Sequence, residues 1–364
     1  MAINSLREWI DVLEQNGELQ RISAPVDPKL EISAITDRVS KERGTANRAL
    51  LFENVLGSDL PVFINAFGSR SRVGMSLGVK DIDEHAARLS ELLNQSPPEG
   101  LMDKLRMLPK LAALTKVFPK KVATAPCQDL VFRGEEVDLS KLPVLTTWPE
   151  DGGPFITFPL CVTKDPESGK RNMGTYRLQV FSENETGFHT HLHKDARRHL
   201  GKASDRGEKI PVAVVIGADP ATCFASIVPA PPDLDELLIS GFLRNKPVSL
   251  VPCKTVPLEV PSSAEIVLEG WVDPKELRRE GPFGDHTGFY SLADDYPVFH
   301  VECMTMRRDA IYHTTLVGRP PQEDCWMTEG LERLLLPILK MQFPEVLDYR
   351  MPFEGVAHNL MYIK

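Results

Sequence analysis

The spacing of apolar positions predicts a helix at the start of the chain. Apolar residues recur at helical spacing between residues 6 and 13, Ser5 and Glu8 form a capping-box pattern before them, and Gly17 stands where a glycine would end the helix. A second helix pattern covers residues 31–39. Strand patterns cover 19–22, 49–53 and 62–66. The opening of the chain is therefore predicted to be an α/β module.

Residues 82–118 have a helical pattern in which basic residues alternate with leucines. Such an amphipathic stretch could face a partner or a membrane, but a helix with one solvated face is the more common structure. Prolines and lysines at 119–126 then indicate a linker. The first domain is predicted to end here, at residue 118.

Beyond the linker, short β-rich runs are separated by Pro and Gly, which favours an antiparallel barrel or sandwich. The runs lie at 130–132, 155–162, 175–181, 187–192, 211–217, 248–252, 265–272, 298–306 and 310–316. A helix pattern at 326–341 and a strand pattern at 359–363 indicate a further α/β unit. We therefore expect a central β domain over 119–317 and the start of a third domain, expected to be incomplete, over 318–364.

Composition narrows the class of protein. The chain has 364 residues, of which 42% are hydrophobic and 26% charged, and a net charge of −9 without a basic stripe, which argues against a nucleic-acid surface. The six cysteines form no CxxC pair or short-spaced framework, so they are expected to be reduced. No signal-peptide pattern or long apolar run is present, which predicts a cytoplasmic protein.

One segment, residues 280–290, concentrates chemically active side chains. It contains Glu280, Asp285, His286, Tyr290 and three glycines, with no apolar run. Glycine and Pro282 permit a bent backbone that aims the two carboxylates at a common point. Two carboxyl groups that lie close together have different pKa values, and acid–base catalysis requires such a difference. On its own, however, the segment is more typical of an ordinary acidic turn.

A second polar region follows at residues 172–195. If 187–192 continues as a strand, His189, His191 and His193 share one face and could bind a metal, although a merely solvated polar face is equally consistent with the spacing. Arg177 has the planar fork that matches a carboxylate or phosphate, or it forms a surface ion pair. Taken alone, Glu236 is an acidic residue in the first turn of a helix.

These motifs together resemble the UbiD family of decarboxylases that use prenylated FMN. The resemblance covers nearly the whole chain and lies in the following segments: Asn172-x-Gly174-x-Tyr176-Arg177, His193-Lys194, the helix from Glu236 to Gly241-x-Leu243-Arg244, residues 260–270, Glu280-Gly-Pro-Phe-Gly-Asp285 and Gly318-Arg319-Pro320-Pro321.

The resemblance implies an N-terminal α/β domain, a central split β-barrel that holds the flavin, and a C-terminal α/β domain used in oligomerisation. It implies that Asn172, His193 and Glu236 bind a divalent metal, usually Mn²⁺, which bridges to the flavin phosphate and is often accompanied by K⁺. An amide oxygen, an imidazole and a carboxylate suit Mn²⁺ better than zinc.

Flavin contacts are implied for a larger set of positions. Besides the three metal ligands, they are Thr175, Tyr176, Arg177, His189, Thr190, His191, Lys194 and Asp195. Many family members have an Arg-Trp or His-Trp pair where this chain has His189-Thr190-His191. Backbone contacts are therefore expected there more than side-chain contacts.

The resemblance also implies that Arg177, Glu280 and Asp285 are catalytic. Arg177 would keep Glu280 ionised and orient the substrate carboxylate, and Asp285 would donate the proton that replaces CO₂. We expect burial against substrate and flavin, together with the negative charge of Glu280, to raise the pKa of Asp285. For His286 we expect a supporting hydrogen bond rather than a catalytic role.

The motifs are most similar to the quinone-pathway branch, which acts on polyprenyl-hydroxybenzoates or naphthoates in ubiquinone or menaquinone biosynthesis. Implied partners are the aromatic acid, a flavin prenyltransferase that supplies the cofactor, a second copy of the chain in a dimer or hexamer, and a membrane surface if the substrate is polyprenylated. Two alternatives stay open: a metalloenzyme built on the histidine cluster, and a non-catalytic subunit of a UbiD-type carboxylase. Either direction of the reaction is consistent with the resemblance.

Overall fold

The computed structural model describes residues 2–94, 117–191, 194–231, 234–356 and 359–364. Within them the α-helices are Leu6–Gln15 (α1), Glu31–Ser40 (α2), Arg70–Ser76 (α3), Asp83–Leu93 (α4), Asp195–Arg206 (α5), Pro220–Ala225 (α6), Glu236–Arg244 (α7) and Glu323–Gln342 (α8). The strands are Leu19–Ile22 (β1), Ala49–Phe52 (β2), Val62–Ile64 (β3), Lys120–Lys121 (β4), Leu130–Arg133 (β5), Phe155–Ile156 (β6), Leu160–Lys164 (β7), Arg171–Thr175 (β8), Leu178–Gln179 (β9), Glu185–Gly187 (β10), Ile210–Ile216 (β11), Ser249–Pro252 (β12), Glu259–Pro261 (β13), Ile266–Glu280 (β14), Phe283–Gly284 (β15), Tyr290–Ser291 (β16), Asp294–Met306 (β17), Tyr312–His313 (β18), Tyr349–Arg350 (β19) and Tyr362–Ile363 (β20).

The N-terminal part is the predicted α/β module. Helix α1 begins after Ser5, whose Oγ accepts a hydrogen bond from the Glu8 amide at 3.1 Å, and Gly17 has the positive φ of +70° that ends a helix. A four-stranded mixed sheet has the order β1-β2-β3-β18. Its last strand comes from residues 312–313, so the chain returns to the N-terminal sheet after the central strands.

The central part is built on a larger antiparallel sheet. Its strand order is β10-β17-β14-β11-β7-β8, with β5 also paired to β17. Every pair in it is antiparallel, as predicted. Within the described residues, β10 and β8 do not pair, so the sheet does not close into a barrel. The fold is thus mixed α/β with several sheets.

Both faces of this sheet are buried. Successive residues of a strand point to opposite sides of the sheet, so a single strand contributes side chains to two apolar clusters. On β11, Ala213 and Val215 pack with Leu6, Trp9 and other residues of one apolar cluster. Val212, Val214 and Ile216 pack into a second cluster on the other face. Helices α1 and α7 cover the first face, and α5 covers the second.

Several predicted strands were wrong in extent, and three of them bear on the site or on the central sheet. The strand expected at 187–192 ends at Gly187, so residues 188–191 are not in a strand. The strand expected to end at 272 continues to Glu280 and pairs with β17 along most of its length. The run 155–162 is interrupted between β6 and β7.

The helical stretch predicted at 82–118 is confirmed as α4 up to Leu93, and its basic part lies outside the described residues. Across the described part of the chain, every helix is too short or too polar to cross a membrane.

Candidate active site

Arg177 is the centre of a buried charge network. It lies between β8 and β9 and donates to Glu280 Oε1 at 3.0 Å through Nε, to Asp285 Oδ2 at 3.4 Å through Nη1 and to Ser291 Oγ at 3.2 Å through Nη2. The guanidinium also lies 4.5 Å above the centre of the Phe283 ring. A charge this deeply buried needs such partners, and removal of one leaves the others uncompensated.

Glu280 ends the long strand β14 and is almost completely buried. Its Oε1 also accepts from His189 Nδ1 at 2.8 Å, and the His189 ring stacks on Tyr296 with centroids 4.0 Å apart. Glu280 Oε2, His189 Nε2 and Thr190 Oγ1 are buried and have no hydrogen-bond partner among the described residues. Because buried polar atoms are normally paired, these three atoms indicate a site that a ligand completes.

Asp285 lies in the loop between β15 and β16, and its closest partner is its neighbour His286. Oδ1 accepts from both the amide and Nδ1 of His286, at 2.8 and 2.6 Å. Burial raises the pKa of Asp285, but these two hydrogen bonds and the charges of His286 and Arg177 outweigh it and lower the pKa to about 2. The raised pKa that we expect with substrate and flavin in place stays a prediction, and in the chain alone the pKa is lowered.

Two of the three residues implied as metal ligands lie on adjoining elements. Asn172 on β8 is buried and donates to the Tyr176 hydroxyl at 3.2 Å. Glu236 begins α7, where Oε2 accepts from the Met173 amide at 2.8 Å. Burial raises the pKa of Glu236 to about 7, as expected for a carboxylate without a nearby cation. The third residue, His193, lies outside the described residues.

The remaining residues implied as flavin contacts differ in their exposure. Tyr176 and Thr190 are buried, and Thr175 Oγ1 lies 2.8 Å from Ser226 Oγ. His191 is exposed while His189 is buried, so the two do not share one strand face, although their rings meet edge to face at 4.8 Å. Lys194 caps α5 at its N-terminus and is exposed, and Asp195 in the first turn pairs with Arg198 at 3.3 Å.

Beside Asp285 is a cavity of about 150 Å³. Its wall contains one cation, Arg319, and the aromatic rings of Trp148, Phe289 and Tyr290. Trp148 packs so closely on Gly284 and Gly318 that a Cβ at either would overlap its ring. Sequence reasoning gave no role to Trp148 or Arg319, and the only signal was the Gly318-Arg319-Pro320-Pro321 segment of the resemblance.

Among the described residues, only Glu185, Glu276 and His300 form a grouping of three possible metal ligands. The His300 ring already contacts both carboxylates of this grouping, with Nδ1 at 3.3 Å from Glu185 Oε1 and Nε2 at 2.9 Å from Glu276 Oε2. His189 likewise uses Nδ1 to bind Glu280, which leaves it a single nitrogen for any metal.

Comparison with protein families gives three consecutive matches. Residues 120–320 match the UbiD model, described as the 3-octaprenyl-4-hydroxybenzoate carboxy-lyase Rift-related domain. Residues 10–93 and 325–364 match the N-terminal and C-terminal domains of the same enzyme.

Similar curated proteins occur in Archaeoglobus fulgidus and Aquifex aeolicus, both described as uncharacterized. Each is 45% identical to this chain, over 364 and 359 residues respectively, and in each case the match spans 74% of the relative.

Several solved structures have the same fold. An evolved dimeric form of the UbiD-class enzyme HmfF from Pelotomaculum thermopropionicum, in complex with prFMN, has a TM-score of 0.85 and 31% identity over 99% of this chain and 78% of that one. Vanillic acid decarboxylase from Sedimentibacter hydroxybenzoicus has a TM-score of 0.85 and 27% identity, covering 100% and 74% of the two chains. A 3,4-dihydroxybenzoic acid decarboxylase from Enterobacter cloacae has a TM-score of 0.83 and 25% identity, covering 100% and 75%.

Proposed function

Since the chain belongs to the UbiD family, whose members are carboxy-lyases, we propose that it decarboxylates an aromatic acid without oxidation, using prenylated FMN. The observation that carries the proposal is the contact of Arg177 with both Glu280 and Asp285 beside a small aromatic-lined cavity. In this arrangement the Arg177 cation, which can bind the substrate carboxylate, lies next to Asp285, which can donate a proton.

The residues of the site fit the cofactor. The buried, unpartnered atoms His189 Nε2, Thr190 Oγ1 and Glu280 Oε2 offer donors and acceptors to a polar ligand. Asn172 and Glu236, with His193, make a hard-leaning donor set that suits Mn²⁺ at the flavin phosphate, and K⁺ could accompany it. We assign the other cofactor contacts to Thr175, Tyr176, Arg177, His191, Lys194 and Asp195.

When bound, prenylated FMN would supply the electron sink for the electrons released as CO₂ leaves. The chain supplies orientation and one proton. Arg177 orients the substrate carboxylate with its planar fork and is itself held by Glu280 at 3.0 Å. Asp285, which lines the cavity, delivers the proton that replaces CO₂. Arg177, Glu280 and Asp285 are thus the proposed catalytic residues.

The cavity supports an aromatic substrate. Trp148 and Tyr290 offer ring faces, and Arg319 offers a cation to a phenolate or carboxylate at the far end of the ring. Next to it, Phe289 and Leu292 are 78% and 89% exposed, which gives a prenyl chain an apolar surface. A 4-hydroxy-3-polyprenylbenzoate or a naphthoate of quinone biosynthesis fits these features, as does peripheral association with a membrane that holds such a substrate.

We further assign residues 1–118 to an N-terminal α/β domain, 119–317 to a split-barrel flavin domain and 318–364 to the beginning of a C-terminal α/β domain. The matched family segments and the antiparallel central sheet support this division. A homo-oligomer is proposed because one structural relative is described as a dimeric form.

The test is decarboxylation by the chain co-produced with a flavin prenyltransferase under anaerobic conditions. Hydroxybenzoates, prenylated hydroxybenzoates, naphthoates and cinnamates are supplied separately, and CO₂ release is followed. We expect release from at least one hydroxybenzoate or naphthoate, together with a flavin-type absorbance. Loaded protein that turns over none of these acids, in either direction at high CO₂, would refute the proposal.

A further inference from the structure

The proposed reaction needs a proton that Asp285 does not hold at rest. Its pKa is lowered to about 2, so the carboxyl group is ionised at neutral pH. The hydrogen bond that His286 donates to Asp285 raises the pKa of His286, so the proton of the pair resides on the imidazole. The acid of the site is therefore a pair of adjacent residues rather than one carboxyl group.

Geometry fixes this pair. Neighbouring residues in an extended chain point to opposite sides, but residues 285–289 form a closed loop. The Asp285 amide donates to the Phe289 carbonyl at 3.0 Å, and the Gly288 amide donates to the Asp285 carbonyl at 2.9 Å. Gly288 has a φ of +82°, which favours glycine. The loop thereby holds His286 Nδ1 at 2.6 Å from Asp285 Oδ1.

The pair also connects the cavity to solvent. Asp285 lines the cavity, and the His286 side chain remains 31% exposed. The other charged groups that act on the pair are Arg177, Asp324 in the first turn of α8 and His191. Asp324 favours the protonated imidazole and Arg177 opposes it. Because the His286 imidazole contacts both Asp285 and solvent, it can take up a new proton from solvent while substrate covers the cavity.

We propose that His286 stores the proton of the site and passes it from Nδ1 to Asp285, which delivers it to the carbon that has lost CO₂. This inference rests on the proposed function. The Nδ1–H bond breaks as an O–H bond forms on Asp285, and that bond breaks as the C–H bond forms. The neutral imidazole then takes a proton from solvent. His286 is thus a positioning residue that acts through Asp285.

The experiment compares two variants in the loaded protein. His286→Asn keeps a hydrogen-bond donor near the position of Nδ1 but carries no titratable proton, whereas His286→Phe removes both. If His286 stores the proton, kcat of both variants falls by about 10-fold or more while KM changes little. The wild-type kcat decreases as pH rises through the pKa of His286, above 6.5, and neither variant shows this decrease.

A second measurement needs no activity. The imidazole of His286 is titrated by NMR in the ligand-free protein, and its pKa should fall in Asp285→Asn because the charged partner is lost. Wild-type kcat and pH profile in His286→Asn, with a defect only in His286→Phe, would show a purely structural role and overturn the inference. An inactive wild type would refute the proposed function, whereas the imidazole titration would still test the Asp285–His286 pair.

Discussion

Arg177 Nε lies 3.0 Å from Glu280 Oε1, and both side chains are withdrawn from solvent. The same Glu280 oxygen accepts from His189 Nδ1, so one carboxylate oxygen serves two donors while the other has none. A buried pair of this kind contributes little net stability, because desolvation offsets the attraction between the charges. The pair instead fixes the direction in which the guanidinium group of Arg177 points.

We first predict that Arg177→Lys lowers decarboxylation by at least about 100-fold, since lysine keeps the charge but loses the planar fork and misplaces the reacting groups. The matched control is Arg278→Lys. Arg278 also pairs with a glutamate, Glu185 at 2.8 Å, and lies over a phenylalanine ring, but it is 41% exposed. It should retain activity within a factor of about two. Equal losses in both variants would contradict a specific role for Arg177.

The second prediction concerns the metal. Glu236→Gln should lower Mn²⁺ affinity by more than about 100-fold, because even residues that only support a ligand contribute 10–100-fold. The metal content of purified protein, measured by inductively coupled plasma mass spectrometry, checks this.

Asp235→Asn is the control for the metal measurement. Asp235 caps the same helix by accepting from the Leu237 amide at 2.9 Å, and asparagine caps a helix equally well. Its metal content should match the wild type. Full Mn²⁺ retention in Glu236→Gln would remove Glu236 from the ligand set.

A third prediction addresses the central sheet. Gly270 stands at a register shift of β14 against β17, and a Cβ there would lie 1.8 Å from the His300 carbonyl oxygen. Gly270→Ala should therefore lower the free energy of unfolding by about 1–3 kcal/mol. Gly201→Ala at an exposed position of α5, where a Cβ meets nothing within 4 Å, should raise it by about 0.5–1 kcal/mol. The free energy of unfolding of both variants is measured by urea denaturation. Steric crowding predicts a decrease for Gly270→Ala, and helix propensity predicts an increase for Gly201→Ala.

The fourth prediction is a dependence of stability on pH. Glu259 binds Lys121 at 2.8 Å and Lys164 and Arg171 at 3.1 Å. Burial raises its pKa, but these cations outweigh that effect and lower the pKa to about 2 from an ordinary 4.5. Because the folded-state pKa is depressed, the stabilisation is complete above pH 4.5 and is lost as pH falls toward 2.

Glu259→Gln should accordingly cost about 2 kcal/mol at pH 7, and its difference from the wild type should shrink as pH falls below 4.5. Urea midpoints measured between pH 7 and pH 3 test this. In the control Glu208→Gln, which removes an exposed pair with Arg206, the midpoint should not change detectably. A pH-independent difference for Glu259→Gln would contradict the electrostatic account.

Elements with strong local signals could be predicted from the sequence. Helix α1 and strand β11 have the expected positions because their apolar periodicity and caps are local. Strand β14 was predicted too short, because residues beyond 272 are polar and only pairing with β17 extends it. Such long-range pairing leaves no mark on a single strand's composition.

Some features of the candidate site could likewise be predicted from the sequence, and others could not. The contact of Arg177 with Glu280 and Asp285 was anticipated through the family resemblance, since no spacing rule joins residues so far apart. The low pKa of Asp285 was missed because it depends on the loop that folds His286 back onto its neighbour. The cavity wall at Trp148 and Arg319 was also missed, because it joins two segments far apart in sequence.

The separation of the proposed catalytic residues along the chain has a consequence for biogenesis. Arg177 and Glu280 are 103 residues apart, and Met173 binds Glu236 across 63 residues. Contacts between such distant residues require the closure of long loops, which makes folding slower than for local contacts. A nascent chain consequently lacks the complete set of proposed site residues until Asp285 has been synthesised. Under the proposed function, prenylated FMN can therefore meet its complete set of contacts only after most of the chain has been synthesised.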